Sequence, residues 1–220
     1  MFTPPRINEP ELLDEHDAPR AEMEQSLRDL RRINRWLGGI RIYRRVVREL
    51  LGNRERATVL ELGAGTADLL DSLPPAFTTI ALDFKIDHLL YLRERSRALR
   101  VVGDAARLPF RNGSVDAVTS AHFFHHFSPK ENVNILTDAM RVVRVGIAIN
   151  DTRRHYAPLV FMRLAGGLRL VGRITAYDGP ASVQRGYTRA EALAIGERVP
   201  ATRRRSMHLV PFRFGLLLWK

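Results

Sequence analysis

Two glycines, two acids and three histidines stand where this chain could do chemistry. Gly63-Ala64-Gly65 follows the run Val59-Leu60-Glu61-Leu62 and precedes a helical pattern of Leu69, Leu70 and Leu73. This reads as a strand, a tight turn and a helix. Glycine there lets the backbone approach a ligand closely and adopt unusual φ/ψ, and the helix start offers free N–H groups. Such turns also serve as plain connections. Two acids add weight: Ile80-Ala81-Leu82-Asp83 is a second apolar strand whose acid falls twenty positions after Gly63, and Val101-Val102-Gly103-Asp104-Ala105 ends a third. A carboxylate at the first of these positions suits the hydroxyls of a ribose. His122, His125 and His126 lie just past a fourth strand. Histidine is suited to general-base work near neutral pH. A His-His pair at such a junction also serves to cap backbone or to pack beside Phe123, Phe124 and Phe127, and both readings stand.

The elements that must hold these residues follow from periodicity. Strands are predicted at 57–62, 77–83, 99–103, 115–120 and 145–150, with helices at 66–73, 86–97 and 130–144 between them. The 86–97 helix turns Leu89, Leu90 and Leu92 inward. Short connections imply right-handed crossovers and a parallel sheet. Upstream, residues 1–19 carry four prolines among charges and read as an extended arm, with a short helix at most over 11–15. Met23, Leu27, Leu30, Ile33 and Leu37 form one face of a helix that breaks at Gly38-Gly39. A second helix, with Ile40, Tyr43, Val46, Val47 and Leu50 inward, ends at Gly52-Asn53. Downstream, 156–171 is a helical apolar stretch, expected to pack on the sheet or roof a pocket rather than lie in a membrane surface. Residues 173–187 are expected as a loop. Thr188 and Glu191 make a capping box, and 201–219 reads as a β-hairpin turned near Pro211.

The chain has 220 residues, a net charge of +11 and no cysteine. The absence of cysteine excludes disulfides, zinc-thiolate sites and a cysteine nucleophile. Of 35 basic residues, the lysines are Lys85, Lys130 and Lys220, and the rest are arginine. So uniform an arginine bias reads as composition, with most charge on solvated faces, although residues 20–56 hold eleven arginines against five acids. Met1–Asp17 has no apolar signal region, and no run reaches the roughly 18–20 apolar residues of a membrane span. A cytoplasmic protein is expected.

The chain resembles the class I S-adenosylmethionine-dependent methyltransferases of the type 11 group. The matching stretches are Val59–Asp68, Ala81–Asp83, Gly103–Phe110, Ser114–Val118, His125–Phe127 and Ala139–Arg144, over about residues 55–152. The resemblance implies an α/β, Rossmann-like fold: a doubly wound, mostly parallel seven-stranded sheet with a C-terminal antiparallel hairpin and an N-terminal helical extension. It divides the chain into an arm and helical lid (1–52) and a methyltransferase domain (53–220), with an acceptor-pocket insertion over 151–187. Glu61, Gly63, Ala64 and Gly65 would wrap the methionine part of S-adenosylmethionine. Asp83 and Phe84 would hold the ribose side, Asp104 and Ala105 would read the adenine, and Ala121 and His122 would lie beside the sulfonium. The fifth strand lacks the family's Pro-Gly-Gly entry, and Arg144-Val145-Gly146 leads straight into it. A nicotinamide cofactor is disfavoured because Asp68 would face a phosphate, whereas a sulfonium tolerates an acid.

Methyl transfer is largely a matter of positioning, and a phenolic or enolic acceptor also wants a base. His126 is the first candidate, with His122 and Asp151 after it. Phe123, His125, Arg153, Tyr177 and Tyr187 are expected around the acceptor, with Phe124 and Met162 as further apolar wall. The stretch 151–183 is similar to bacterial enzymes of small-molecule biosynthesis. No metal is expected, because no carboxylate stands at ligand spacing beside the histidines. The function expected is O- or C-methylation of a phenolic, quinone or polyketide-like small molecule by a monomer or homodimer. The alternatives are an RNA methyltransferase, which the charge and Arg203-Arg204-Arg205 favour, and a non-catalytic cofactor-binding partner subunit.

Overall fold

Apolar runs flanked by glycine and acid form strands at the centre of a sheet, where helices cover both faces. The computed structural model describes residues 3–14, 19–92 and 94–220. The strands are β1 (Thr58–Leu62), β2 (Thr78–Asp83), β3 (Leu99–Val102), β4 (Val115–Ala121), β5 (Val143–Thr152), β6 (Arg203–Leu209) and β7 (Arg213–Trp219). Their order is β3-β2-β1-β4-β5-β7-β6. β1 to β5 run parallel, while β7 pairs antiparallel with both β5 and β6. The order reverses beside β1, which places the ligand crevice at the carboxyl ends of β1 and β4.

The helices are α1 (Arg20–Trp36), α2 (Gly39–Leu51), α3 (Asp68–Asp71), α4 (Ile86–Tyr91), α5 (Pro129–Val142), α6 (Tyr156–Gly167), α7 (Arg173–Arg185) and α8 (Arg189–Glu197). Alternation along the strands divides the core in two. On one face Val59, Ala117, Ala148 and Leu217 meet Tyr43, Val46, Val47 and Leu50 of α2. On the other, Leu60, Val118, Ile147, Leu216 and Leu218 meet Ile135, Leu136 and Met140 of α5 and Ile195 of α8. The Tyr43 hydroxyl lies 2.9 Å from Thr119 Oγ1, so that buried phenol is satisfied. Capping boxes open α5 at Ser128/Glu131 and α8 at Thr188/Glu191.

Several expectations are corrected. α4 stops at Tyr91 instead of running to 97, and Leu90 is exposed while Leu89 and Leu92 are buried; the Arg93 position lies outside the described residues. α3 is one turn long. The loop expected at 173–187 is mostly α7, with Pro180 inside it. Ile174, Ala181 and Val183 are buried there, so packing overrides the Gly179-Pro180 break. In the arm, a 3₁₀ turn covers Leu12–Asp14, and Glu15 lies outside the described residues. β5 follows α5 without an intervening residue, and a side chain at Gly146 would strike the Leu218 carbonyl. No helix among the described residues is long and apolar enough to cross a membrane.

Leu216 is fully buried in β7, the strand that joins the parallel sheet to its hairpin. Leu216→Ala is expected to lower unfolding free energy by about 2–5 kcal/mol in urea titration, with the far-UV spectrum unchanged.

Candidate active site

The carboxyl ends of β1, β2 and β4 open into a cavity of about 790 Å³, walled also by the N-terminal arm, α1, α6, α7 and the β6–β7 turn. Glu61 stands one residue before the end of β1, and Gly63 and Gly65 turn the chain with φ of +61° and +48°. A side chain at Gly63 would collide with the Phe123 ring, so that turn requires glycine. Gly65 N–H donates to Asp83 Oδ2 at 3.1 Å and Lys85 N–H donates to Oδ1 at 2.9 Å. Burial works to raise the Asp83 carboxyl, but His88 and these N–H groups outweigh it and hold it ionised below its ordinary value.

Glu61 is buried on the cavity wall, and its Oε2 has no hydrogen-bond partner among the described residues. Burial, reinforced by Asp68 and Asp71, pushes its carboxyl well above the usual range. Asp68 is raised by burial as well, although the Thr66 hydroxyl and Asn34 donate to it. Two crowded carboxyl groups, one with an unused oxygen, form a wall that a cation relieves. The ammonium and sulfonium of S-adenosylmethionine are cations, so these residues fit that cofactor. Ala64 and Ala121 are buried on the same cavity wall, Ala105 lines it, and Phe84 is exposed at its edge. Asp104 is exposed on the lining and accepts the Ala106 N–H at 2.8 Å.

The three histidines occupy three different environments. His122 lies just past β4 in the left-handed region, with φ of +53°. Its Nδ1 is 3.3 Å from Thr152 Oγ1, and its buried Nε2 has no partner. Burial, then the Arg213 charge, pushes it down to about 3, so it is neutral. His125 donates through Nδ1 to Asp151 Oδ1 at 2.8 Å and through Nε2 to Glu11 Oε1 at 3.1 Å. Burial alone would lower it, but Asp151 and Glu11 raise it to about 10 and it is an imidazolium. The same pairing overcomes burial at Asp151 and holds that acid at about 2. His126 lines the cavity with Nδ1 2.7 Å from Asp14 Oδ2. Burial works to raise Asp14, and the His126 bond outweighs it, leaving that carboxyl lowered.

The cavity therefore brings together Glu61, Gly63, Ala64, Gly65, Asp83, Phe84, Asp104, Ala105, Ala121, His122, Phe123, His125 and His126. It does not bring in four others. Asp151 is fully buried behind His125, and Tyr177 is exposed on α7. Arg153 Nη1 contacts His208 Nδ1 at 3.1 Å. Tyr187 is buried, donating its hydroxyl to the Phe127 carbonyl at 2.5 Å under the Arg6 guanidinium. Sequence reasoning missed Glu11, Asp14 and Asp178, because the arm lies more than 110 residues from the histidines. Asp178 accepts the Leu12 and Leu13 N–H groups at 2.7 and 3.0 Å and seats the arm. The absence of a nearby carboxylate is also corrected: Glu11, His125 and His126 offer three ligand-type atoms within 4.8 Å of one another.

The chain is similar to known methyltransferases. A protein-family profile described as "Methyltransferase domain" matches residues 59–146. A demethylmenaquinone methyltransferase of Beutenbergia cavernae is 38% identical over 115 residues, covering 50% of this chain and 46% of that protein. One from a Mycobacterium species is 32% identical over 154 residues, covering 67% of this chain and 66% of that protein. The chain thus spans about half to two thirds of these relatives' length. Among solved structures, the plantazolicin methyltransferase BpumL in complex with SAH superposes with a TM-score of 0.69 at 10% identity, covering 94% of this chain and 92% of that one. At that identity the likeness concerns the fold.

The His125 clamp makes a signed prediction. A group raised from 6.5 to about 10 on folding contributes stability that is whole below pH 6.5 and lost as pH rises through about 10. The stability gap between the native chain and His125→Asn, read from urea titrations, is expected to be widest near pH 6 and to narrow steadily toward pH 10.

Proposed function

We infer, for a chain that belongs to the class I S-adenosylmethionine-dependent methyltransferases, that its acceptor is a small phenolic aromatic of the reduced-quinone type, methylated at ring carbon. The observation that carries this reading is the His126–Asp14 pair on the wall of a cavity that also has an apolar lining. Phe123 and Phe127 beside His126, with Phe161 and Met162 of α6, make that lining and suit a flat aromatic ring better than a sugar or nucleotide. The relatives named for demethylmenaquinone support the same acceptor class.

Glu61, Asp83 and the Gly63–Gly65 turn would hold S-adenosylmethionine, which supplies a methyl group on positively charged sulfur. An oxidised quinone is electron-poor and does not attack such a carbon, so the acceptor has to be the dihydroxy form. Asp14 fixes the His126 ring through Nδ1, and Nε2, 3.8 Å from Glu11 Oε2, would take the phenolic proton. Removing that proton pushes electron density onto the neighbouring ring carbon, which would gain the methyl group as the methyl–sulfur bond breaks and then lose its own hydrogen as a proton, restoring the aromatic ring. His125 cannot share the task, because both of its nitrogens are committed to carboxylates. Its role is to seat the arm that carries Asp14.

The RNA alternative loses its basic run. Arg203 stacks on Trp219 at 3.8 Å, Arg204 donates to the Gly196 and Val199 carbonyls, and Arg205 pairs with Glu49 at 3.0 Å.

The test is turnover of a short-chain 1,4-dihydroxynaphthalene under reducing conditions, with the product identified by mass spectrometry as ring-methylated. His126→Ala is expected to lower kcat by about 10²–10⁴-fold while leaving cofactor affinity in place. Product carrying the methyl group on oxygen, or a His126→Ala enzyme as fast as the native one, would overturn the assignment. Asp83→Ala, by calorimetric titration with S-adenosylmethionine, is expected to lose at least about 1.5 kcal/mol of binding free energy with a charged hydrogen-bond acceptor removed. Cofactor binding without turnover of any phenolic acceptor would instead favour the partner-subunit reading.

A further inference from the structure

α6 is apolar on the side that faces away from the protein. Val160, Phe161, Leu164 and Leu168 recur at three- and four-residue spacing and are 50%, 51%, 60% and 69% exposed, and Leu170 just beyond is 67% exposed. A soluble helix normally turns this stripe inward and its charges out. Here the inward contacts are made by Pro158, Leu159 and Ala165. Large apolar patches left open in this way mark interaction surfaces.

The patch is continuous with the cavity mouth. Phe161 both lines the cavity and is half exposed. Across the mouth stand Leu37 at the end of α1 and Phe212 in the β6–β7 turn, both lining the cavity and partly exposed. Their neighbours Trp36 and Val210 are 77% and 68% exposed. Apolar residues from three elements therefore border the cavity beside the α6 stripe.

The exposed charge on α6 and the turn after it has one sign. From Tyr156 to Tyr177 the chain contains three arginines and no acid, and of these Arg173 pairs with Glu22 at 2.7 Å. Arg163 and Arg169 are exposed there, and none of the ion pairs among the described residues engages them. Arg35 and Arg41 flank Trp36 beside the mouth. A second copy of the chain would bring these like charges together, which opposes self-association through this face. An anionic lipid surface complements both the apolar stripe and the arginines. At 12 residues α6 is about 18 Å long, too short to cross a bilayer core of about 30 Å, so it would lie in the interface.

We propose that the α6 face and the rim of the cavity mouth dock on anionic phospholipid, so that an acceptor with a hydrocarbon tail enters the cavity from the membrane. The tailed acceptor rests on the function proposed above, whereas the docking itself does not.

The experiment is flotation of the full chain with vesicles of phosphatidylcholine alone or mixed with phosphatidylglycerol, at low and high salt. Binding is expected to the anionic vesicles, weakened by salt. The double variant Leu164→Ser/Leu168→Ser and the double variant Arg163→Gln/Arg169→Gln are each expected to weaken it by about tenfold or more. S-adenosylmethionine affinity serves as the check that both variants are folded. No binding to anionic vesicles, undiminished binding by the leucine variant, or concentration-dependent dimers that the leucine variant abolishes would each overturn the proposal. Methylation of the water-soluble dihydroxynaphthalene requires no vesicle, so failure of docking and failure of the acceptor assignment are read separately.

Discussion

The His125 imidazolium, buried between Asp151 at the end of β5 and Glu11 on the arm, is the contact on which the site depends. Through it, a proline-rich arm that packs Leu13 against the core is fastened to the sheet. Glu11 also accepts the Ser182 hydroxyl at 2.8 Å, which links the same carboxylate to α7. Once the arm is seated, Asp14 reaches His126 and the Leu12 and Leu13 N–H groups reach Asp178. Removing one partner of such a buried set leaves a charge uncompensated, which costs far more than the intact set gains. Seating the arm and forming the site are thus one event.

The chain's basic charge acquires a second meaning in this light. Arg97 donates to the carbonyls of Leu73, Pro74, Pro75 and Phe77, and Arg141 to those of Leu108 and Phe110. Arg154 ties Pro4 and Gly186, and Arg185 ties Glu9 and His126. Loop carbonyls need donors when they lie away from water, and a guanidinium supplies five in a fixed fork. Much of the arginine therefore replaces secondary structure as a means of satisfying irregular backbone. Lysine could not substitute, because its ammonium is a single point rather than a fork.

What was legible in the sequence divides along the same line. The β1 turn, Asp83 at the end of β2 and the positions of the five parallel strands could be read because each is written locally, in an apolar run and the residues that stop it. The hairpin was legible too, although not that β7 would lie inside β6. α7 was not, since Gly179-Pro180 is a break by local rules and only the burial of Ile174, Ala181 and Val183 overrides it. Glu11 and Asp14 could not be found, because nothing within the arm signals a contact made more than 110 residues away. Tyr187 illustrates a different limit: an aromatic with a hydroxyl fits a pocket wall or a buried hydrogen bond equally well, and the Phe127 carbonyl decides for the second.

The three histidines show why residue type alone could not assign the base. They lie within five positions on one short segment, yet burial and neighbours separate them completely. His122 has no carboxylate bonded to it, so desolvation wins and the ring stays neutral down to about pH 3. A base that weak holds a proton poorly. His125 has two carboxylates and stays charged up to about pH 10, so it already holds the proton a base would need to accept. His126 bonds Asp14 through Nδ1, has Glu11 Oε2 at 3.8 Å from Nε2, and stands on the cavity wall. The Asp14 bond fixes the ring's orientation on that wall, where an acceptor can reach it.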